Sequence, residues 1–373
     1  MYLVYLLKII YYFLFVFFMY FLTDRTKEIQ FTVSGIPKHK AAGEKKYGWG
    51  IIIILGLALG VYSVICGAGG PSDRWNYSYF FVNGRKSGSD SYGLAFIEYL
   101  LHFFTNDPAF LFFVITFLCV ALTVIAYNSY SCHNPVMFLF LGSTQYFFYS
   151  FYQLKQAPAN GFAALSIIAF MEKQWWRCII NFMFAVIFHE SSLILLPLYV
   201  LLLLAEKRAV QVLVCIISAF CLLWFDTASR LVVSLFMNIP GFATQIQGYL
   251  DTAGSVATDI NYLTVFKGFP FYFLCMFSCL KHSALSKKIK NYDRYIMICL
   301  FVSITSLASA YMYWTWRLGE LLYFPVCCFA ALIFRNLESH YEKWILFLGF
   351  FGVNLVITLR AICQYYFLYG GFG

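Results

Sequence analysis

Charge is scarce in this sequence. Asp, Glu, Lys and Arg make up 12% of its 373 residues, whereas an average soluble chain carries about 25%. A chain that is 62% hydrophobic and 21% aromatic cannot cover its apolar surface in water with so few charges. A soluble enzyme, a secreted disulfide scaffold, a disordered chain and a nucleic-acid-binding domain are therefore excluded. Familiar catalytic signatures are missing too: there is no Walker P-loop, no GxGxxG after a strand, no HExxH and no GxSxG. Nothing points to ATP, a dinucleotide or a zinc hydrolase. No cofactor is expected, and an enzyme with this sequence must take an already activated substrate. The twelve cysteines form no CxxC and no Cys/His group at metal spacing. Cys119, Cys178, Cys215, Cys221, Cys275, Cys299, Cys327 and Cys328 fall in apolar runs, where free cysteine behaves as a small hydrophobe. No metal site is expected.

Long apolar runs are abundant. They sit at about 2–22, 49–68, 108–127, 135–152, 157–171, 178–190, 192–205, 209–225, 262–280, 295–313, 318–334 and 344–362. With about 20 residues per span, there is room for roughly eleven or twelve crossings and none for a separate soluble domain. The expected fold is all-α, a single polytopic membrane domain over 1–373 with about twelve transmembrane helices. Residues 1–22 read as an uncleaved span, because Thr23-Asp24-Arg25 follows where a cleavage site would need small residues. The 178–205 block is either one tilted helix or two short ones broken at His189-Glu190-Ser191-Ser192. Polar punctuation at Glu172–Arg177 and Glu206–Arg208 favours the broken pair.

With that break, the loops 23–48, 128–134, 172–177, 206–208, 281–294 and 335–343 fall on one side and hold seventeen of the 26 Lys and Arg. The opposite side holds six: Arg74, Arg85, Lys86, Lys155, Arg230 and Arg317. The positive-inside rule makes the first side cytoplasmic, with both termini outward. Most of the net charge of +9 is thus topogenic and meets anionic lipid headgroups. The segments 69–107 and 226–261 face outward, the second with a surface helix expected near 228–237. The longer basic loops, 23–48 and 281–294, face the cytoplasm.

Ionisable groups at the outer boundary are the functional candidates, because charge near hydrocarbon is costly. His189, followed by Glu190, could take a proton from a hydroxyl as a general base; it could equally cap a broken helix at the interface. Lys155 and Gln156 precede Ala157-Pro158, where proline suits a first helical turn. A cation there adds nothing to helix stability, since the dipole is already positive. It suits a bound anion, or else a lysine snorkelling to the surface. Arg317 either grips a phosphate bidentately or forms an i,i+3 pair with Glu320. Asp73-Arg74-Trp75-Asn76-Tyr77 and Arg85-Lys86-Ser87-Gly88-Ser89-Asp90 suit sugar faces and hydroxyls, or a wet loop packed on the membrane.

In order and spacing these features resemble the Wzy-type polysaccharide polymerases, especially their EpsG-like branch. An initial span, a basic inner loop and a second span lead to an outer Asp-x-x-x-Tyr element, here Asp73 to Tyr77. Lys155-Gln156 looks like the family's Arg-Gln at the start of a middle span, with lysine offering a point charge instead of a planar fork. Phe188-His189-Glu190-Ser191-Ser192 looks like its Phe-His followed by small residues. Arg317 to Tyr323-Phe324-Pro325 looks like its late Arg before an aromatic span.

The resemblance implies a GT-C-like membrane glycosyltransferase in the bacterial inner membrane. Such an enzyme transfers a glycan from undecaprenyl diphosphate to a lipid-linked repeat unit at the outer face. Arg317, Lys155, Arg74 and Arg85 would bind diphosphate, and His189 would be the acceptor base. Asp73 and Asp90 would orient sugar or assist that base, while Gln156, Tyr77 and Glu320 would position substrate. The implied partners are undecaprenyl-diphosphate-linked glycans and membrane lipids, with a chain-length regulator and a flippase, and no nucleic acid. An O-antigen ligase, a membrane acyltransferase and a transporter or flippase are the rival readings.

Overall fold

The computed structural model describes residues 7, 9–21, 49–65, 72–84, 91–130, 134–144, 146–147, 153–207, 212–213, 216, 262–308 and 316–369. Among the described residues it holds helices, turns and bends and no strand, as an all-α fold requires. The chain divides into two compact units, Met1–Leu195 with Leu321–Gly373, and Leu196–Glu320.

The first unit contains α1 (Ile9–Phe21), α2 (Trp49–Ile65), α3 (Ser72–Asn83), α4 (Tyr92–His102), α5 (Pro108–Ser129), α6 (Val136–Ser143), α7 (Gln156–Met171) and α8 (Trp175–Phe188). After a 3-10 turn at Glu190–Ile194 the chain passes into the second unit, which begins at the second residue of the short α9 (Leu195–Leu204). The first unit resumes with α14 (Tyr323–Asn336), α15 (His340–Leu346), a π-helical segment (Phe347–Gly352) and α16 (Val353–Tyr369).

α7 is the core of this unit. Its alanines, at 157, 159, 163, 164 and 169, favour helix, and every residue but Phe162 and Leu165 is buried. A helix buried nearly all round belongs at the centre of its bundle, and α7 packs on α5, α8 and α14. Gly161 sets the α5 contact: an added Cβ would stand 2.5 Å from Leu122 Cβ.

α7 ends in a reverse turn that sends α8 back antiparallel. The Gln174 N–H donates to the Ala169 carbonyl and the Lys173 N–H to the Phe170 carbonyl, with Lys173 at φ 59°. This is a Schellman closure with lysine where glycine is usual. The cation sits at the negative end of the α7 dipole, which offsets part of the left-handed cost. The hairpin register is fixed by Ser166 Oγ donating to the Cys178 carbonyl at 2.7 Å and by Phe162 stacking on Phe184 and Phe188.

The second unit contains α10 (Tyr262–Leu280), α11 (His282–Leu285), α12 (Tyr292–Ala308) and α13 (Trp316–Glu320). α10 packs on α12, and α13 on α12. Tyr292 Oη donates to the Ser278 carbonyl at 2.8 Å, and burial pushes its phenol above the ordinary range. Arg294 reaches Glu206 at 3.2 Å, and His282 reaches Asp293 at 2.8 Å.

The expected run boundaries hold in some places and fail in others. The break at His189 is present. Within the run at 135–152, α6 ends at Ser143, where Ser143 Oγ and Thr144 Oγ1 bond back to the Phe140 and Leu141 carbonyls and end the ladder. The run at 318–334 is divided between α13 and α14. Pro325 falls in the first turn of α14, where its missing N–H breaks no helical bond.

Among the described residues, two helices, Pro108–Ser129 and His340–Ala361, are long and apolar enough to cross a membrane. Six shorter apolar helices accompany them: Ile9–Phe21, Gln156–Met171, Trp175–Phe188, Glu190–Leu204, Lys267–Leu280 and Tyr323–Asn336. The loop 23–48 and the expected surface helix at 228–237 lie outside the described residues.

Candidate functional site

Because α7 and α8 are antiparallel, the start of α7 and the end of α8 share one end of the first unit. Lys155 and Gln156 are therefore brought to the same end as His189. Two further helices join them there. Gly93 of α4 lies flat against the Phe188 ring, where an added Cβ would meet ring atoms at 3.0 Å. Arg74 of α3 places its guanidinium 3.7 Å from the centre of the Phe112 ring, one turn into α5.

The start of α7 differs from the anion site expected of a helix N-terminus. The Gln153 carbonyl accepts from both the Gln156 and Ala157 N–H groups, at 3.0 and 3.1 Å, and Pro158 has no N–H to offer. The backbone donors that would grip an anion are thus already used. Any anion held here relies on the half-buried Lys155 side chain and on side-chain amides. Gln156 is buried in the first turn, and Asn160, one turn on, is 0% exposed. Neither amide atom of Asn160 has a hydrogen-bond partner, nor does Gln153 Oε1. Buried polar atoms without partners are rare enough to mark a site.

His189 follows α8 in extended conformation, φ −153° and ψ 119°, and caps the 3-10 turn that begins at Glu190. Its Nδ1 accepts from the Ser191 N–H at 3.1 Å and lies 2.8 Å from Ser191 Oγ. Ser192 Oγ donates to the Ala185 carbonyl at 3.1 Å and tightens the same turn. One of its two sequence readings is thus seen, the cap of a broken helix, and its ring stands half-buried at the gathered end. With Nδ1 accepting, the proton of the neutral ring lies on Nε2, which differs from the tautomer expected of a base acting through Nε2.

Arg74 is also placed differently from a loop cation. It is 1% exposed, and a diphosphate could reach it only if the guanidinium left the Phe112 ring. Tyr77 lies on the same helix, half-buried. Asp73 falls within α3, but its side chain, with Arg85 and Asp90, lies outside the described residues. Arg317 and Glu320 belong to α13 in the second unit. There Gly319 packs against Thr305, to whose Oγ1 an added Cβ would come within 2.8 Å. Arg317 is half-buried, and Glu320 is fully buried.

Glu98 went unremarked in the sequence. It is buried on the inner face of α4 with Gly93 and Leu94, while Tyr92, Phe96, Tyr99 and Phe103 face outward. The signal was available: it is the one carboxylate in an otherwise apolar amphipathic stretch. Asn160 and Gln153 had no such signal, since polar residues near a helix start are ordinary. Among the described residues no group of His, Cys, Asp and Glu could hold a metal ion.

A family model described as the EpsG family matches residues 47–370. No curated protein and no solved structure matches the chain.

Proposed function

The chain belongs to the EpsG family of Wzy-type polymerases, a membrane family of polysaccharide biosynthesis, and from that premise we propose the reaction itself. The protein joins undecaprenyl-diphosphate-linked oligosaccharide repeat units at the outer face of the bacterial inner membrane. The observation that carries this reading is the α7–α8 hairpin, which gathers a lysine, buried amides and a histidine at one end of the first unit. Those are the groups that a lipid-linked diphosphate sugar needs.

In this reading the donor needs no nucleotide, because its lipid diphosphate is already a leaving group. Lys155 and Arg317 meet the negative charge that grows on that diphosphate, with Arg74 and Arg85 as further cations; preorganised donors of this kind are worth about 10²–10³ in rate each. His189 works on the reacting oxygens, and the carboxylate of Asp73 or Asp90 receives the acceptor proton. Gln156, Tyr77 and Glu320 position substrate. A flippase supplying repeat units and a chain-length regulator are the expected partners.

The test is complementation of a strain lacking this protein with His189→Ala and Arg317→Ala. Each variant is expected to reduce polymer by about 10²-fold or more and to leave unpolymerised repeat units. Full-length ladders from both variants would overturn the site. Transfer of single repeats to another acceptor, with no ladder from the unaltered protein, would point to a ligase instead.

A further inference from the structure

We propose that Ser191 clamps His189 so that the imidazole presents Nε2–H as a hydrogen-bond donor to the leaving diphosphate, not as the base that deprotonates the acceptor. The proposal rests on the polymerase reading above. A backbone N–H can only donate. The Ser191 N–H, 3.1 Å from Nδ1, therefore requires a lone pair there, and in a neutral imidazole the proton must then lie on Nε2. The alternative tautomer would set Nδ1–H against the Ser191 N–H, two donors facing each other.

The turn that fixes this arrangement is held on both sides. The His189 N–H donates to the Ala185 carbonyl at 2.9 Å, and the Ser192 N–H to the His189 carbonyl at 3.0 Å. Ser192 Oγ closes onto Ala185 as well. Rotating the ring away from Ser191 would leave the Ser191 N–H, in the first turn of the 3-10 segment, without its cap. Ser191 is thus a positioning residue, acting through the ring it orients.

The chemistry balances without a basic histidine. The bond between C1 of the donor sugar and the phosphate oxygen breaks, and its electron pair goes to that oxygen. The acceptor hydroxyl oxygen forms the new bond to C1, and its proton passes to a carboxylate. An Nε2–H beside the leaving oxygen stabilises the negative charge developing on it. The charged groups on the elements around this turn are Glu190 on the turn itself, Arg177 at the far end of α8, Glu98 on α4 and Lys155 ahead of α7.

Glutamine separates the two roles, since its side-chain N–H mimics Nε2–H but cannot take a proton. Membranes carrying endogenous lipid-linked repeat units, with the full chain or a variant, are assayed for polymer. His189→Gln is expected to stay within about tenfold of the unaltered protein and His189→Ala to lose about 10²-fold. His189→Gln as inactive as His189→Ala, with both eluting from detergent size exclusion like the unaltered protein, would overturn the proposal. Membranes in which the unaltered protein makes no polymer would instead overturn the polymerase reading.

Discussion

The Arg74 guanidinium over Phe112 joins two positions that lie 38 residues apart in the sequence. Read along the chain, Asp73-Arg74-Trp75 looks like a wet outer loop, and nothing local announces that its cation is covered. α3 folds back on α5 and buries it, so the side chain contributes packing as well as charge. A desolvated cation–π contact is worth about 2 kcal/mol. Arg74→Ala is expected to destabilise the protein by about 2 kcal/mol or more, seen as a lower unfolding midpoint of the purified protein in detergent. Arg74→Lys keeps the charge without the planar stack, and its midpoint is expected to fall between the two. Asn160 makes a related point. Its type and position are unremarkable in the sequence, and only its burial without partners singles it out.

Among the elements, α7 shows what a composition can and cannot announce. Its run of alanine with glycine and serine reads as a helix built for close approach, and the helix is found within a residue of the expected bounds. Which neighbour it approaches was not legible, because Gly161 meets Leu122 of α5 across 39 residues of chain. Gly161→Ala improves helix propensity by about 1 kcal/mol, but it places a Cβ against the stem of Leu122. Overpacking of this kind costs about 1–3 kcal/mol. The net expectation is a lower unfolding midpoint, and a midpoint raised by Gly161→Ala would show that α5 and α7 do not meet there. The break at His189 was legible from polar punctuation on both sides of the 178–205 block. The early end of α6 was not, since a serine or threonine in an apolar run can point anywhere, and only the fold commits its hydroxyl to a backbone carbonyl.

On the scale of the whole molecule, sorting the charge by side gives an orientation that can be checked directly. Glu190 and Lys287 are both exposed, and the positive-inside rule assigns them to opposite faces. With a membrane-impermeant thiol reagent on intact spheroplasts, Glu190→Cys is expected to label above the unaltered background and Lys287→Cys only after permeabilisation. The reverse pattern would invert the topology and place the His189 end in the cytoplasm. Membrane class, the sidedness expected of each loop and several turning points come from the sequence, because transfer free energy and charge bias add up residue by residue along a segment. The scarcity of charge also drew up the short list that contains His189, Lys155 and Arg317. Which of those side chains are covered, and which nitrogen of His189 bears the proton, was decided only by the folded chain. Burial and hydrogen-bond direction are relations between groups: distant segments must be in place before Arg74 has a ring to lie on, and the chain must turn at His189 before its imidazole can accept from the Ser191 N–H.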